Sequence, residues 1–152
     1  MAINASTSRK LPLARTVDWW KVSAFPETVT FPTPALATSG VTVLFLTAIE
    51  RMVLRFANAV FPVQPATAAP TVQIQNLTQT LNLTTALSIP TTYTVNTTLN
   101  FVVNSTQNGG ADSNLLVKPG DVLALVYVVN GASAGPGAGA FTLEFALSGR
   151  YK

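Results

Sequence analysis

The 152-residue sequence contains no cysteine and no histidine. The first absence excludes a disulfide scaffold, a thiolate metal centre and a cysteine nucleophile. The second removes the commonest general base and the commonest metal ligand together, so nucleophilic triads of the usual kinds cannot be assembled. Charge is scarce: Asp, Glu, Lys and Arg make up 10% of the chain, against about 25% in an ordinary soluble domain. A chain with so little charge stays dispersed by having partners cover its surface or by relying on neutral polar groups. Both are expected here, because eleven threonines fall between Thr71 and Thr106. No apolar run approaches the roughly 18 residues of a membrane-spanning helix, so no membrane partner is expected.

The opening "MAINASTSRK" is polar and lacks the hydrophobic stretch of a secretory signal. The sequons that begin at Asn4, Asn76, Asn82, Asn96 and Asn104 are therefore expected to be Asn and Thr alternating on polar strand faces, not glycan acceptors.

The formal net charge is +3 and the pI about 9.6, but the charge is unevenly placed. Residues 1–27 hold four basic side chains (Arg9, Lys10, Arg15, Lys21) and two acidic ones (Asp18, Glu27). Residues 28–148 hold three basic and four acidic side chains, and Arg150 and Lys152 follow. The basic character belongs to the two ends, so no nucleic-acid partner is expected for the folded body.

Both tryptophans lie in one stretch, "RKLPLARTVDWWKV", Arg9 to Val22. With Pro12 and Pro26, and with no strand or helix period, residues 1–27 read as an extended arm. Successive side chains of an extended segment point to opposite sides. Trp19 and Trp20 are thus expected to clamp two surfaces, the chain's own domain and a neighbouring subunit. Arg9, Lys10, Arg15 and Lys21 are expected to guide docking onto acidic groups of the partner.

From residue 28 to 152 the punctuation is that of a single all-β domain. "TVTFPTPAL" is a short strand stopped by Pro32 and Pro34. "VTVLFLTAI" (41–49) is almost continuously apolar, as in a strand buried on both faces or an interface strand. "ERMVLRFA" (50–57) alternates, with Met52, Leu54 and Phe56 on one face. A helix over 44–57 is the alternative, which the β-branched and aromatic content disfavours. A proline-rich connection (61–70) leads to "TVQIQ", with Val72 and Ile74 inward, and to an alternating 77–87. The clearest alternation is 91–104, with Tyr93, Val95, Leu99, Phe101 and Val103 on one face. After a turn-rich loop (107–114), "VKPGD" predicts a Pro-Gly turn before a strand over 122–130. "GASAGPGAG" (131–139) predicts a flexible hairpin loop, and a last strand carries Phe141, Leu143, Phe145 and Leu147 inward. About eight strands at this spacing predict a jelly-roll-like β-sandwich.

No constellation for catalysis is found. Phosphate-loop and dinucleotide fingerprints are missing. Glu50, Asp112, Asp121 and Glu144 are the candidates for a glycosidase carboxylate pair. Asp121 is more simply a turn residue bonding its own backbone, and Glu50 and Glu144 are surface charges. "NGGADSN" offers oxygen ligands but only one carboxylate and no calcium-loop spacing. No enzyme activity, no cofactor and no metal are expected.

The final third, "LLVKPGDVLALVYVVNGASAGPGAGAFTLEFALSGRYK", resembles the C-terminal end of many small phage virion proteins. In these a Gly-Asp turn, an apolar strand, a Gly/Ala/Thr-rich loop and an alternating strand close a β-sandwich. The whole chain is similar in style to capsid decoration (cement) proteins of tailed bacteriophages: in size, in lacking Cys and His, in Thr/Val/Ala bias and in having an arm before a β-domain. The resemblance implies a non-enzymatic homotrimer on the virion surface, with the major capsid protein as partner and the arm locking neighbouring subunits. One basic pair makes a sparse arm for packaging nucleic acid, so decoration ranks above coat. The alternative is a carbohydrate-binding or C1q-like β-sandwich recognition module, because K-P-G-D occurs there too. Exposed aromatics on the sheet would favour that alternative. Phe45, Phe56, Phe101, Phe141 and Phe145 in apolar strand patterns argue against it.

Overall fold

The computed structural model describes residues 27–36, 39–104 and 116–147. The arm residues Arg9, Lys10, Arg15, Trp19, Trp20 and Lys21 lie outside the described residues, as do the loop 107–114 and Asp112.

The described residues contain ten strands and no helix: β1 (Glu27–Pro32), β2 (Val41–Thr47), β3 (Met52–Val60), β4 (Thr71–Asn76), β5 (Leu81–Asn82), β6 (Leu87–Ser88), β7 (Thr98–Asn100), β8 (Leu116–Val117), β9 (Val122–Val128) and β10 (Ala140–Leu147). The alternative helix over 44–57 does not form. The strands make two sheets. The first runs β1-β10-β3-β7, with β8 also on β3. The second runs β2-β9-β4-β5, with β6 also on β4. Every pairing is antiparallel.

The sheets pack face to face as a β-sandwich. The first contributes Leu54, Ala57, Ala59, Phe141, Leu143 and Phe145 to the core, and the second Val72, Ile74, Leu123, Leu125 and Tyr127. Period-2 alternation explains the sorting, since one face of each strand meets the other sheet. Phe31 and Phe45 of the edge strands β1 and β2 interlock with Phe141 of β10, ring centroids 4.8–5.6 Å apart. The three pairs are tilted, stacked and edge-on, at separations that suit such aromatic contacts.

Four expectations need correction. Of the two alternatives for 41–49, a strand buried on both faces or an interface strand, the first is ruled out. Strand β2 is the edge strand of the second sheet, paired with β9 alone, and Leu44 is 64% exposed. The strand covered on both flanks is β9, where Leu123, Ala124 and Leu125 are all fully buried.

Phe56 does not join Met52 and Leu54 inside. The register against β10 slips here: Phe145 faces Leu54 and Glu144 faces Phe56, which leaves Arg55 as the extra residue. A bulge of this kind reverses the phase beyond it. Ala57 and Ala59 therefore point inward, and Phe56 is 40% exposed on the outer face.

The alternation over 77–104 does not give two long strands. Turns at 77–80 and 91–97 interrupt it, with Thr80 and Asn96 at positive φ. Tyr93 and Phe101 are buried as expected, but Val95 is exposed. The Tyr93 hydroxyl replaces the missing ladder. It accepts the Phe61 N–H at 3.1 Å and donates to the Thr97 carbonyl at 2.5 Å.

The loop 131–139 is stitched down, not a free flexible tip. Ser133 N–H reaches the Ala66 carbonyl at 3.1 Å, Leu36 and Gly137 exchange both backbone bonds at 3.1 Å, and Gly139 N–H meets Thr33 Oγ1 at 2.8 Å. Gly139 is required here, because a Cβ would sit 2.2 Å from the Val60 carbonyl oxygen.

Candidate interaction surface

The two outer faces of the sandwich differ in chemistry. Register places Thr28, Glu144 and Phe56 in one outer row of the first sheet, and Thr30, Thr142, Asn58 and Asn100 in the next. Thr30 and Thr142 share a hydroxyl–hydroxyl bond of 3.0 Å. This is a polar surface of the kind water covers.

The second sheet is different. Its five strands contain no Asp, Glu, Lys or Arg. Because β9 reads Val-Leu-Ala-Leu-Val-Tyr-Val, it has apolar residues on both faces. Leu123, Leu125 and Tyr127 go to the core; Val126 and Val128 reach the outer surface, where Ala124 is itself fully covered by its neighbours. The outer rows pair Leu44 with Ala124 and Gln75, Thr42 with Val126 and Gln73, and Val128 with Thr71. Leu44 and Val128 are exposed, at 64% and 46%. Amide groups border this apolar strip, where Gln75 donates to Gln73 at 2.9 Å and Gln73 to the Thr84 carbonyl at 2.9 Å. An uncharged apolar strip with a polar border is the composition of a contact surface.

The strip continues to an edge. Among the described residues β2 has no partner on its outer side. Its sequence, Val-Thr-Val-Leu-Phe-Leu-Thr, has none of the charge or proline that usually guards an edge strand. One guard is present: the register shift between Leu44 and Leu46, which leaves Phe45 as a bulge.

Beyond β2 the connection Ala48–Arg51 helps close one end of the sandwich. A pocket of about 360 Å³ opens there between the edge strands β1 and β2. It is lined by Val29, Leu46, Ala48, Ile49, Met52 and Phe145, with Glu50 on its rim. Ile49 is 87% exposed.

The Lys118–Asp121 turn holds this end in place. Pro119 and Gly120 form the turn, with Gly120 at φ +89°. Asp121 is 4% exposed. Its carboxylate accepts the Lys118 N–H at 2.7 Å, Asn76 Nδ2 at 2.8 Å and Gln79 Nε2. Its backbone carbonyl accepts the Ala48 N–H at 2.8 Å, and Gly120 N–H returns a 2.7 Å bond to the Ala48 carbonyl. The expected turn role of Asp121 is thus what the structure shows. Burial alone would raise the pKa of this carboxyl. The Lys118 N–H, the Asn76 and Gln79 amides and the Lys118 charge outweigh it and hold the group below its ordinary 3.8. Three donors converge on the single oxygen Oδ2, an arrangement that favours the charged form and ties the turn to β4 and the 77–80 turn.

Asp112 lies outside the described residues, and neither Glu50 nor Glu144 joins the Asp121 hydrogen bonds. Glu50 is exposed at the pocket rim, and Glu144 stands half-buried on the outer face of the first sheet. Among the described residues no three Asp or Glu side chains come together as a metal site. Sequence reasoning missed the outer strip, although the unbroken apolar run Val122–Val129 signalled it. No family model matches this chain, and neither a curated protein nor a solved structure shows significant similarity to it.

Proposed function

We propose that the protein is a structural component of a virion shell, a β-sandwich that decorates and stabilises the capsid by surface contact. The observation that carries this reading is the charge-free apolar strip of the second sheet, continuous with the β2 edge, which is unpartnered among the described residues. A face of this composition gains by leaving water, and it can extend a neighbouring sheet through β2. Its partners are the major capsid protein and further copies of the same chain, arranged as a homotrimer at three-fold positions of the lattice. The basic arm residues approach acidic groups of the neighbour, which sets docking rate more than affinity.

A carbohydrate-recognition reading has one observation on its side. Phe56 is exposed on a sheet face among Thr28, Asn58 and Glu144, the kind of aromatic platform on which a sugar ring stacks. Among the described residues only one aromatic stands there, and the apolar strip lies on the opposite sheet.

Purified virions of the virus that carries this gene test the proposal. The protein is expected as a stoichiometric band by mass spectrometry and as density on the shell surface by electron microscopy, and as a trimer in sedimentation. Its absence from virions, combined with glycan retention that Phe56→Ala abolishes, would replace this reading with the carbohydrate one.

A further inference from the structure

We infer that the pocket between β1 and β2 is the seat for one indole of the chain's own Trp19–Trp20 pair. The pocket lies at the end of the sandwich where β1 begins. Val29, two residues into β1 from Glu27, forms one of its walls. The 26 residues that precede Glu27 therefore reach the domain beside the pocket. Trp20 is seven residues from Glu27, a span of at most about 25 Å when extended. Either indole can turn back to the pocket from that distance. A tether this short holds it at an effective concentration in the millimolar range.

The chemistry fits. The walls are aliphatic and aromatic, with Leu46, Met52 and Phe145 facing the space. Thioether and aromatic contacts of this type favour a ring. At about 360 Å³ the space is at the small end of the range for pockets that take organic groups, roughly 300–1,000 Å³. The rim carries one charge, Glu50, and Lys21 directly follows Trp20. Docking the indole brings that cation to the carboxylate. On the reading of residues 1–27 as an extended arm, the second indole points to the opposite side and is left to a neighbouring subunit. The inference rests on reading residues 1–27 as a binding arm, but not on what the neighbour is.

The chain's only tryptophans are these two, so fluorescence reports on the site without a label. The test uses full-length Trp19→Phe and Trp20→Phe, each also carrying Ile49→Asp or Glu50→Lys. Both pocket positions are exposed, and circular dichroism checks that the fold is kept. One of the two single-tryptophan proteins is expected to emit at shorter wavelength and to resist acrylamide quenching several-fold better than a peptide of residues 9–26. That protection is expected to persist on dilution to nanomolar concentration, and to fall to the peptide value with Ile49→Asp or Glu50→Lys. Three results would overturn the inference: both indoles as accessible as in the peptide, protection that disappears on dilution and so comes from a second copy, or protection indifferent to both pocket substitutions.

Discussion

Asp121→Ala is expected to lower the melting temperature by about 6–12 °C, at roughly 2–4 °C per kcal/mol for a domain of this size. The substitution strips the partner from three donors at once: the Lys118 N–H and the side-chain amides of Asn76 and Gln79. Asn76 is fully buried, so water does not replace the lost acceptor there. Leaving buried donors unmet costs about 1–3 kcal/mol, and roughly 3 kcal/mol is expected for the set. The damage is also positional. The same turn fixes Ala48 through two backbone bonds, so the pocket and the Ile49 rim lose their mount.

Asp121→Asn separates charge from shape. The native carboxyl has a pKa below its unfolded value, so the folded state binds fewer protons than the unfolded one between the two values. The stability it contributes is therefore complete above the ordinary 3.8 and is lost as pH falls through the native pKa. Denaturant titrations at about pH 6 and about pH 3 should show the wild type losing more stability than Asp121→Asn over this interval. Equal losses would show that the carboxylate is not responsible.

If the protein decorates a virion shell as proposed, Leu44→Asp and Val128→Asp are expected to weaken its attachment strongly while leaving the fold intact. Both side chains are exposed in the isolated domain, at 64% and 46%. Surface changes of this kind alter stability by roughly 0.5 kcal/mol. In a dry contact each aspartate leaves an uncompensated charge. A loss of about 2 kcal/mol or more per site, typical of a central contact residue, weakens binding roughly thirtyfold. Thr30→Asp and Asn100→Asp, on the polar face of the first sheet, are the matched controls and should bind as wild type. Pelleting of each variant with shells stripped of the native protein gives the comparison. Loss of binding only in the Thr30 and Asn100 variants would move the contact to the opposite face.

The all-β class and most of the core were legible in the chain, because period-2 alternation is a local property. Val72, Ile74, Phe141, Leu143 and Phe145 lie inward as their spacing requires. The turn at Asp121 was legible for the same reason, since Pro-Gly-Asp carries its own geometry. What could not be read is whatever depends on a neighbour in space. Whether an apolar run is central or at an edge is decided by strand order, so 41–47 and 122–128 looked alike. Strand order made the first an edge with Leu44 outside and the second a covered strand. The bulge at Arg55 arises from pairing with β10, and nothing within residues 50–57 announces it. The loop 131–139 looked mobile because its residues are small. Yet small residues are also what close backbone approach demands, as the 2.2 Å clearance at Gly139 shows.

Because the chain has no cysteine, a single introduced thiol reports one position alone. Thr42→Cys places it on the outer face of the second sheet, and Thr30→Cys on that of the first; both parent residues are exposed. Maleimide labelling of each variant, free and bound to the shell, asks directly which face is covered. The account predicts equal labelling of the two when free and strong protection of Thr42→Cys alone when bound. Protection of Thr30→Cys with Thr42→Cys still open would contradict it.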